Sequence, residues 1–445
     1  MSFLSELRRT ASDVVTDPQV LTGYSFDQMP LGTAGTPLAL VRAGSVAEVS
    51  AVLALASAHR VPVVTRGAGS GLAGGANAVD GGIVLSVAGM DAILSIDEGL
   101  RTATVQCGVL GGDLAVAVAE RGLWYPPDPA SKAFSTIGGN IATNAGGGCC
   151  LKYGVTGDHV AALTAVLASG EVIRTGGRQR KNVAGLDLTR LLVGSEGTLA
   201  VIVEATLRLR AAPLPPATLV AFFGTVQDAA EAVDAIEARG EPSLLELMDR
   251  TTVGAVERAT RMGLDTDAGA LLIVQTDEPD PAAALRSYAE ACAKATDLAH
   301  TTDPAEGEQF LAARRQALPA LERLGSTLLD DVAVPRTALA EMITEIQVIA
   351  ERYAVTIGTF GHAGDGNLHP TIVFTPDTEA AARAAFVDIV HAALTLGGTI
   401  TGEHGVGTLK TPYLTAMVGP VERALMGRIK EAFDPAGVLN PGKAL

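Results

Sequence analysis

Cysteine is scarce in this chain of 445 residues: there are four, Cys107, Cys149, Cys150 and Cys292, and none forms a Cys-x-x-Cys pair. That excludes a disulfide framework and the ligand spacings of zinc ribbons and iron–sulfur clusters, so any redox chemistry needs an organic cofactor. Positive charge is also short. Lysine and arginine number 33 against 49 acidic residues, a net charge of −16, which argues against a nucleic-acid groove and against docking on anionic lipid. Hydrophobic residues make up 48% of the chain, yet apolar runs such as Val160-Ala-Ala-Leu-Thr-Ala-Val-Leu-Ala168 stop well short of the roughly 20 residues a spanning helix requires. The first nine residues, Met-Ser-Phe-Leu-Ser-Glu-Leu-Arg-Arg, lack the apolar core of an export signal. The expectation is a soluble, cytoplasmic protein without membrane insertion, whose partners are small molecules or other proteins.

Glycine, in contrast, is abundant at 50 residues, crowded into 66–82, 108–112, 138–157, 194–197, 358–366 and 397–407. Ala-rich segments of helical period lie between these clusters, for example from Ser45 and from Val226. In the first half, short β-rich runs (Leu38–Val41, Val61–Thr65, Ile83–Val87, Ala103–Gln106, Ala161–Ala168) alternate with helices and turns. The proline cluster Ala211-Ala-Pro-Leu-Pro-Pro216 ends an apolar strand, Leu199 to Leu209, and marks a boundary. The pattern predicts an α+β protein. Residues 1–212 form two small α+β subdomains, 213–397 an antiparallel sheet with helices as a cap domain, and 398–445 a segment returning to the first domain.

Gly69-Ser-Gly71-Leu-Ala-Gly74 has the GxGxxG spacing of a dinucleotide fingerprint and follows a strand. A fingerprint of that kind also needs a helix whose first amides take the pyrophosphate. Here Gly75-Ala-Asn-Ala-Val-Asp-Gly-Gly82 leads straight into another strand, so an NAD site is excluded. Consecutive glycine amides still form an anion nest without a helix; a plain glycine turn between strands is the other reading. A second segment, Trp124-Tyr-Pro-Pro-Asp-Pro through Thr136-Ile-Gly-Gly-Asn-Ile-Ala-Thr-Asn-Ala-Gly-Gly-Gly148, offers small residues, hydroxyls and amides that let backbone approach a large planar ligand. A third, Leu192-Val-Gly-Ser-Glu-Gly-Thr-Leu-Ala-Val-Ile-Val-Glu, is a turn feeding a strand.

In this order the three segments resemble the FAD-binding domain of the vanillyl-alcohol oxidase and p-cresol methylhydroxylase (PCMH-type) flavoproteins, over about residues 35–210. The resemblance implies FAD held around its pyrophosphate by the loop Arg66, Gly67, Ala68, Gly69, Ser70, Gly71, Leu72 through Gly75. It places Pro127, Thr136, Gly138, Gly139, Asn144 and Gly146 along the isoalloxazine and ribityl chain, with Ala142, Glu196, Gly197, Ile202 and Asn440 as further cofactor residues. Relatives with a covalent flavin commonly attach it to a histidine in the first loop, and 66–75 holds none, so the FAD is expected to be noncovalent. Cys149 and Cys150 are either attachment points or, as the more economical reading, packed thiols.

Three of the seven histidines sit in unusual company. Thr356 to His362 reads as one strand and Asn367-Leu-His369-Pro-Thr-Ile-Val-Phe as the next. With Gly364 to Asn367 as a four-residue hairpin loop, His362 and His369 become a directly opposed pair, close enough for both rings to meet one metal ion. A histidine cluster hydrogen-bonded to Asp365 is the alternative. Gly402-Glu403-His404-Gly405-Val-Gly407 offers a carboxylate beside a further imidazole, as a third ligand or as ordinary turn residues.

These two segments, with Phe433-Asp-Pro-Ala-Gly-Val-Leu-Asn-Pro-Gly-Lys443, resemble the carboxy-terminal half of the FAD-linked 2-hydroxyacid dehydrogenases: D-lactate dehydrogenases, glycolate oxidase flavoprotein subunits and D-2-hydroxyglutarate dehydrogenases. The resemblance implies zinc or manganese on His362, His369 and Glu403, His404 as general base, and Arg314 on the substrate carboxylate. The ion acidifies the substrate hydroxyl, His404 takes its proton, and the Cα hydride goes to flavin N5. The electron acceptor would be a quinone, an electron-transfer flavoprotein or an iron–sulfur subunit, and a homodimer is compatible. Dicarboxylate-specific relatives typically carry a lysine just before the Asp331 strand and an asparagine after the histidine hairpin; Leu329 and Thr371 stand there here, which favours D-lactate or glycolate over 2-hydroxyglutarate, with Arg336 an extra cation nearby. A metal-free flavoenzyme of the same fold, like alkyl-glycerone-phosphate synthase, is the rival.

Overall fold

In the computed structural model, which describes residues 2–29 and 31–445, the chain changes company four times. One unit comprises Met1–Gly147, Gly154–Ala212 and Glu403–Leu445; the other comprises Gly148–Tyr153 and Pro213–Gly402. The last stretch of the first unit begins at Glu403. The reason is local: Thr399 N–H bonds to Ala333 O at 2.7 Å, and the Thr401 hydroxyl and the Gly402 N–H both reach Asp331 Oδ2 at 2.8 Å, so this stretch belongs to the second unit.

The first unit holds two main sheets. Strands β1 (Val14–Val15), β2 (Ala39–Arg42), β3 (Val63–Arg66) and β4 (Ile83–Ser86) form one in the order β1-β2-β4-β3, with β2, β3 and β4 parallel. Every residue of β4 is buried, as expected of a parallel strand covered on both faces. The helix Val46–His59 lies over this sheet. Ser45 caps its start by accepting from Glu48 N–H, Arg60 ends it in the left-handed region, and its stripe Val49, Val52, Leu53 and Ala56 enters the core. The second sheet, of β5 (Ile93–Asp97), β6 (Thr102–Gln106), β8 (Val160–Val166), β9 (Val172–Gly176) and β10 (Val201–Arg208), is antiparallel in the order β5-β6-β10-β8-β9. A short ribbon pairs β7 (Leu123–Trp124) with β11 (Arg210–Ala211). Cys107, Val166, Val201 and Val203 share a core with Val41, Val63 and Leu85 of the first sheet. Ala103, Val105, Leu163 and Leu207 form another core with Leu114, Ile137 and Ile141, from the helices Gly111–Ala119 and Ile137–Thr143.

The second unit is built on one antiparallel sheet of β12 (Ala217–Phe223), β13 (Leu244–Asp249), β14 (Ala270–Thr276), β15 (Ala295–Thr301), β16 (Ser326–Leu329), β17 (Val332–Ala333), β18 (Thr356–His362) and β19 (Asn367–Phe374). Its order is β15-β12-β14-β13-β18-β19-β16, with β17 also on β19. Met248, Ile273 and Phe360 point to one face, where they pack with Val253, Val256, Ala313, Ala317 and Leu321 of the helices Arg250–Thr260, Pro304–Arg315 and Ala317–Glu322.

One register differs from the sequence expectation. The hairpin turn is Ala363–Gly366, so His362 stands opposite Asn367 and Phe360 opposite His369; the two histidines are not directly opposed. Gly366 adopts φ +68 and closes the turn with its N–H on Ala363 O at 3.2 Å. Asn367 is thereby drawn into the strand, where its amide reaches Asp331 Oδ1 at 2.7 Å. His362 and His369 become diagonal neighbours, still on one face because positions two apart point the same way.

Candidate functional site

In the first unit the glycine run follows β3 and leads to β4 with no helix between them. Gly69 and Gly74 take φ +73 and +78, conformations that L side chains resist. Space is as restrictive as torsion. A Cβ on Gly69 would lie 2.0 Å from Arg66 Nη2, one on Gly67 2.2 Å from Thr136 Oγ1, and one on Gly74 2.2 Å from Thr408 Oγ1. Arg66 is buried and donates to Phe26 O at 2.8 Å. Thr136 caps the helix Ile137–Thr143 by accepting from Gly139 N–H, and Asn144 ends it in the left-handed region at φ 52. Gly138 packs on Cys107, where a Cβ would come within 2.6 Å. Pro127 and Gly146 are buried, and Ile202 sits in β10 among the core side chains.

Residues distant in sequence close on this loop. The Asn440 amide donates to Gly75 O at 3.0 Å and Glu196 O at 2.7 Å. Lys443, absent from the sequence expectations, reaches Gly75 O at 3.2 Å and also Asn77 O. Burial brings its amine down to about 8, against the pull of Asp27 and Glu196. The Glu196 N–H bonds to Ala142 O, while its carboxylate accepts from Val406 N–H at 2.7 Å and Gly407 N–H at 2.8 Å. Glu196 therefore secures the turn that follows Glu403 and His404, whose own side chains lie 3.9 Å apart, Oε1 to Nε2.

The unit also fits a large polar ligand by what is left over. Thr65 Oγ1, Ser135 Oγ and Asn440 Oδ1 are buried without a protein partner. Each adjoins the glycine loop or one of the residues gripping it: Thr65 precedes Arg66, Ser135 precedes Thr136, and Asn440 holds Gly75. Buried polar atoms of this kind cost free energy unless a ligand or water satisfies them. FAD, with a pyrophosphate for the amide nest and hydroxyls for these side chains, matches the set.

The second unit presents a different construction. Glu246 on β13 faces His362 on β18, and β19 adds Asn367 and His369 on the same side. The imidazoles of His362 and His369 stand at 86° with centroids 5.2 Å apart, and each offers a ring nitrogen within 4.8 Å of the other's. His362 Nδ1 is bonded to Glu246 Oε1. The other oxygen, Oε2, accepts from Arg314 Nε at 2.5 Å, and the Arg314 guanidinium lies over the Phe360 ring at 4.6 Å. Burial would raise the Glu246 carboxyl, but the charges of Arg314 and His362 outweigh it and hold the group at about 2. Behind His369 stands a second fully buried acid: Asp331 Oδ1 lies 3.7 Å from His369 Nδ1. Asp365, the sequence alternative for steadying the histidines, is exposed.

Glu246 and Asp331 were not among the candidate residues of the sequence. A signal was present: Leu244-Leu-Glu-Leu-Met-Asp249 places Glu246 between apolar residues of a strand, and a buried acid needs a cationic or hydrogen-bonding partner.

Two family models together cover most of the chain. "FAD binding domain" matches residues 37–176 and "FAD linked oxidases, C-terminal domain" residues 213–444. The chain belongs to the FAD-linked oxidases. Among curated relatives of this chain, glycolate oxidase subunit GlcD of Bacillus subtilis (strain 168) is 45% identical over 429 residues, 94% of this chain and 91% of the relative. D-lactate dehydrogenase of Anaerostipes hadrus is 36% identical, covering 97% of this chain and 94% of its own. The fold is that of p-cresol methylhydroxylase, at TM-score 0.84 and 18% identity over 99% of this chain and 96% of that one; alkyldihydroxyacetonephosphate synthase aligns at TM-score 0.76 and 19% identity, over 99% and 84%. The protein is thus an FAD-linked oxidoreductase of the PCMH fold that binds FAD, and among its described residues no helix is long and apolar enough to cross a membrane.

Proposed function

We propose that this oxidoreductase converts a small D-2-hydroxy acid, glycolate or D-lactate, to the 2-oxo acid. The observation that carries the reading is the right-angled pair of His362 and His369 beside an arginine held flat on Phe360, in a chain akin to a glycolate oxidase subunit and a D-lactate dehydrogenase. His362, His369 and Glu403, the residue covalently following Gly402, would hold a divalent ion; two imidazoles and a carboxylate suit zinc or manganese. Arg66 to Gly75, Thr136, Glu196 and Asn440 would hold FAD noncovalently, for the loop has no histidine to bond it. Bound FAD supplies the acceptor for the electron pair and hydrogen that leave the substrate Cα, and a bound divalent ion supplies a Lewis acid.

The remaining work falls to side chains. His404 takes the hydroxyl proton as the general base. Arg314 has its Nε committed to Glu246, which leaves its terminal nitrogens to pair a carboxylate and orient the Cα–H. Leu329 and Thr371 face each other across β16 and β19, on the side of the sheet that carries His369, and neither offers a cation for a second carboxylate. A quinone or protein acceptor would then reoxidise the flavin. Anaerobic bleaching of the purified yellow protein by a panel of D- and L-2-hydroxy acids, with metal measured on the same sample, tests the reading. Bleaching by D-lactate or glycolate with a bound divalent ion supports it; bleaching by none of the panel, or bleaching with no metal bound, overturns it.

A further inference from the structure

We infer that Glu246 is a positioning residue that serves both halves of the catalytic face at once: it fixes which nitrogen of His362 is available to a metal ion and holds the plane of Arg314. The inference rests on the metal reading above and goes beyond it by assigning a role to a residue that touches neither ion nor substrate.

The argument starts from acceptor and donor chemistry. A carboxylate only accepts hydrogen bonds, so its partner nitrogen must carry the hydrogen. With Nδ1 of His362 on Glu246 Oε1, the neutral ring is protonated at Nδ1 and its lone pair sits on Nε2. That is the tautomer a ligand histidine needs, and a carboxylate behind the ring is a common way to set it. The other oxygen takes Arg314 Nε, and Phe360 lies under the guanidinium at 4.6 Å; a hydrogen bond at one edge and a ring on one face leave little rotation. One carboxylate thus spans two groups that the chain brings from β18 and from the helix Pro304–Arg315.

Surrounding packing holds Glu246 to this task. The residue is 2% exposed. Gly148 passes close above it: a Cβ there would meet Glu246 Oε1 at 3.4 Å and Leu244 Cδ1 at 3.1 Å. The strap that carries Gly148 is clasped to the same unit by Lys152, which bonds Asp277 at 2.6 Å and Glu278 at 2.8 Å, and by Leu151, which fills the space beside Gly364. Glutamine cannot replace this carboxylate. Its single oxygen can accept from His362 or from Arg314 but not from both, and turning its NH₂ toward Nδ1 forces the His362 proton onto Nε2.

Two measurements decide the matter. In the native protein, histidine-selective ¹⁵N spectra taken after metal removal, with the His362 signal assigned by its loss in H362Q, should show the Nδ1–H tautomer. An Nε2–H signal overturns the inference and needs no variant of Glu246. In E246Q, Zn²⁺ and Mn²⁺ should bind about 10–100-fold more weakly than to native protein, and the substrate KM should rise, with FAD per chain unchanged. R314Q should raise KM while leaving metal affinity near native, which separates the two arms. Equal metal affinity in native protein and in yellow, folded E246Q overturns the inference alone. If the native protein itself takes up neither ion, the metal reading fails and this assignment falls with it. If E246Q is not recovered folded, E246D is compared instead: one methylene shorter, it reaches only one partner, and undiminished metal affinity and KM overturn the inference.

Discussion

The two units of this oxidoreductase are built from different materials. The first builds its loop from backbone: glycines with positive φ, and side chains such as Asn440 and Glu196 that hold the backbone in place. The second gathers side chains on one face of a sheet, His362, His369 and Glu246, with Arg314 from a helix, each held by another side chain. A backbone site tolerates changes of side chain but not of space. A side-chain site tolerates changes of space but not of chemistry.

The sharpest way to break that contrast is to delete chemistry from the second unit and ask whether the first notices. H369A should lose the divalent ion and at least about 10³-fold in kcat, while FAD absorbance per chain stays native; loss of FAD along with the metal would mean the two sites do not divide the work in this way. His404 belongs to the first unit and is the proposed base. H404A should keep both FAD and metal and lose about 10²–10⁴-fold in the rate of flavin bleaching, as read by stopped flow, and native-like bleaching would remove the base assignment.

Specificity offers the next test. Leu329 and Thr371 are cross-strand partners, so a charge placed at 329 falls on the face of His369. L329K should shift the ratio of kcat/KM for D-2-hydroxyglutarate over D-lactate upward by about 10–100-fold, the worth of one added charge-assisted pair. No shift would mean that residue 329 does not reach the far end of a substrate.

The same contrast explains what the sequence disclosed and what it hid. The loop Arg66 to Gly75 was legible because glycine is chosen there for torsion and close approach, and the absence of a following helix removed the NAD reading. His362 and His369 were legible because two histidines seven apart across Ala-Gly-Asp-Gly have few structural reasons to exist. Their register was not, because the turn could close at Ala363 or at Gly364, and what decides is Asn367 bonding to Asp331, a residue far away in the chain. Glu246 and Asp331 stayed hidden for the same reason: a buried acid is explained by its partner, and Arg314 meets Glu246 only after folding.

Space is the weak point of the first unit. A Cβ at Gly69 would strike the Arg66 guanidinium 2.0 Å away at a backbone φ of +73. Left-handed strain of about 1–2 kcal/mol should weaken FAD binding to apo G69A by about tenfold in a fluorescence titration, with metal content unchanged. Native FAD affinity in this variant would mean that the loop does not need its left-handed turn to hold the cofactor.

The smallest effect separates two buried acids on one strand. Glu246 has Arg314 and His362 and is held at about 2, whereas Asp249, three residues on, has no cation. Burial raises Asp249 to about 6, although it accepts from the Thr252 N–H. A carboxyl with a raised folded-state pKa favours folding in its protonated form, so its contribution is complete below the unfolded value near 4 and is lost as pH climbs through 6. D249N keeps a good helix cap for Arg250–Thr260 and removes the titration. Its Tm relative to native protein should therefore rise as pH goes from about 4 to about 7, by the equivalent of about 2–3 kcal/mol, a few degrees for a unit of this size. Every other titrating group is common to both proteins and cancels in the difference. Two parallel Tm-against-pH curves would show that Asp249 titrates as it does in water, and that this strand supports an unpaired charge as readily as a paired one.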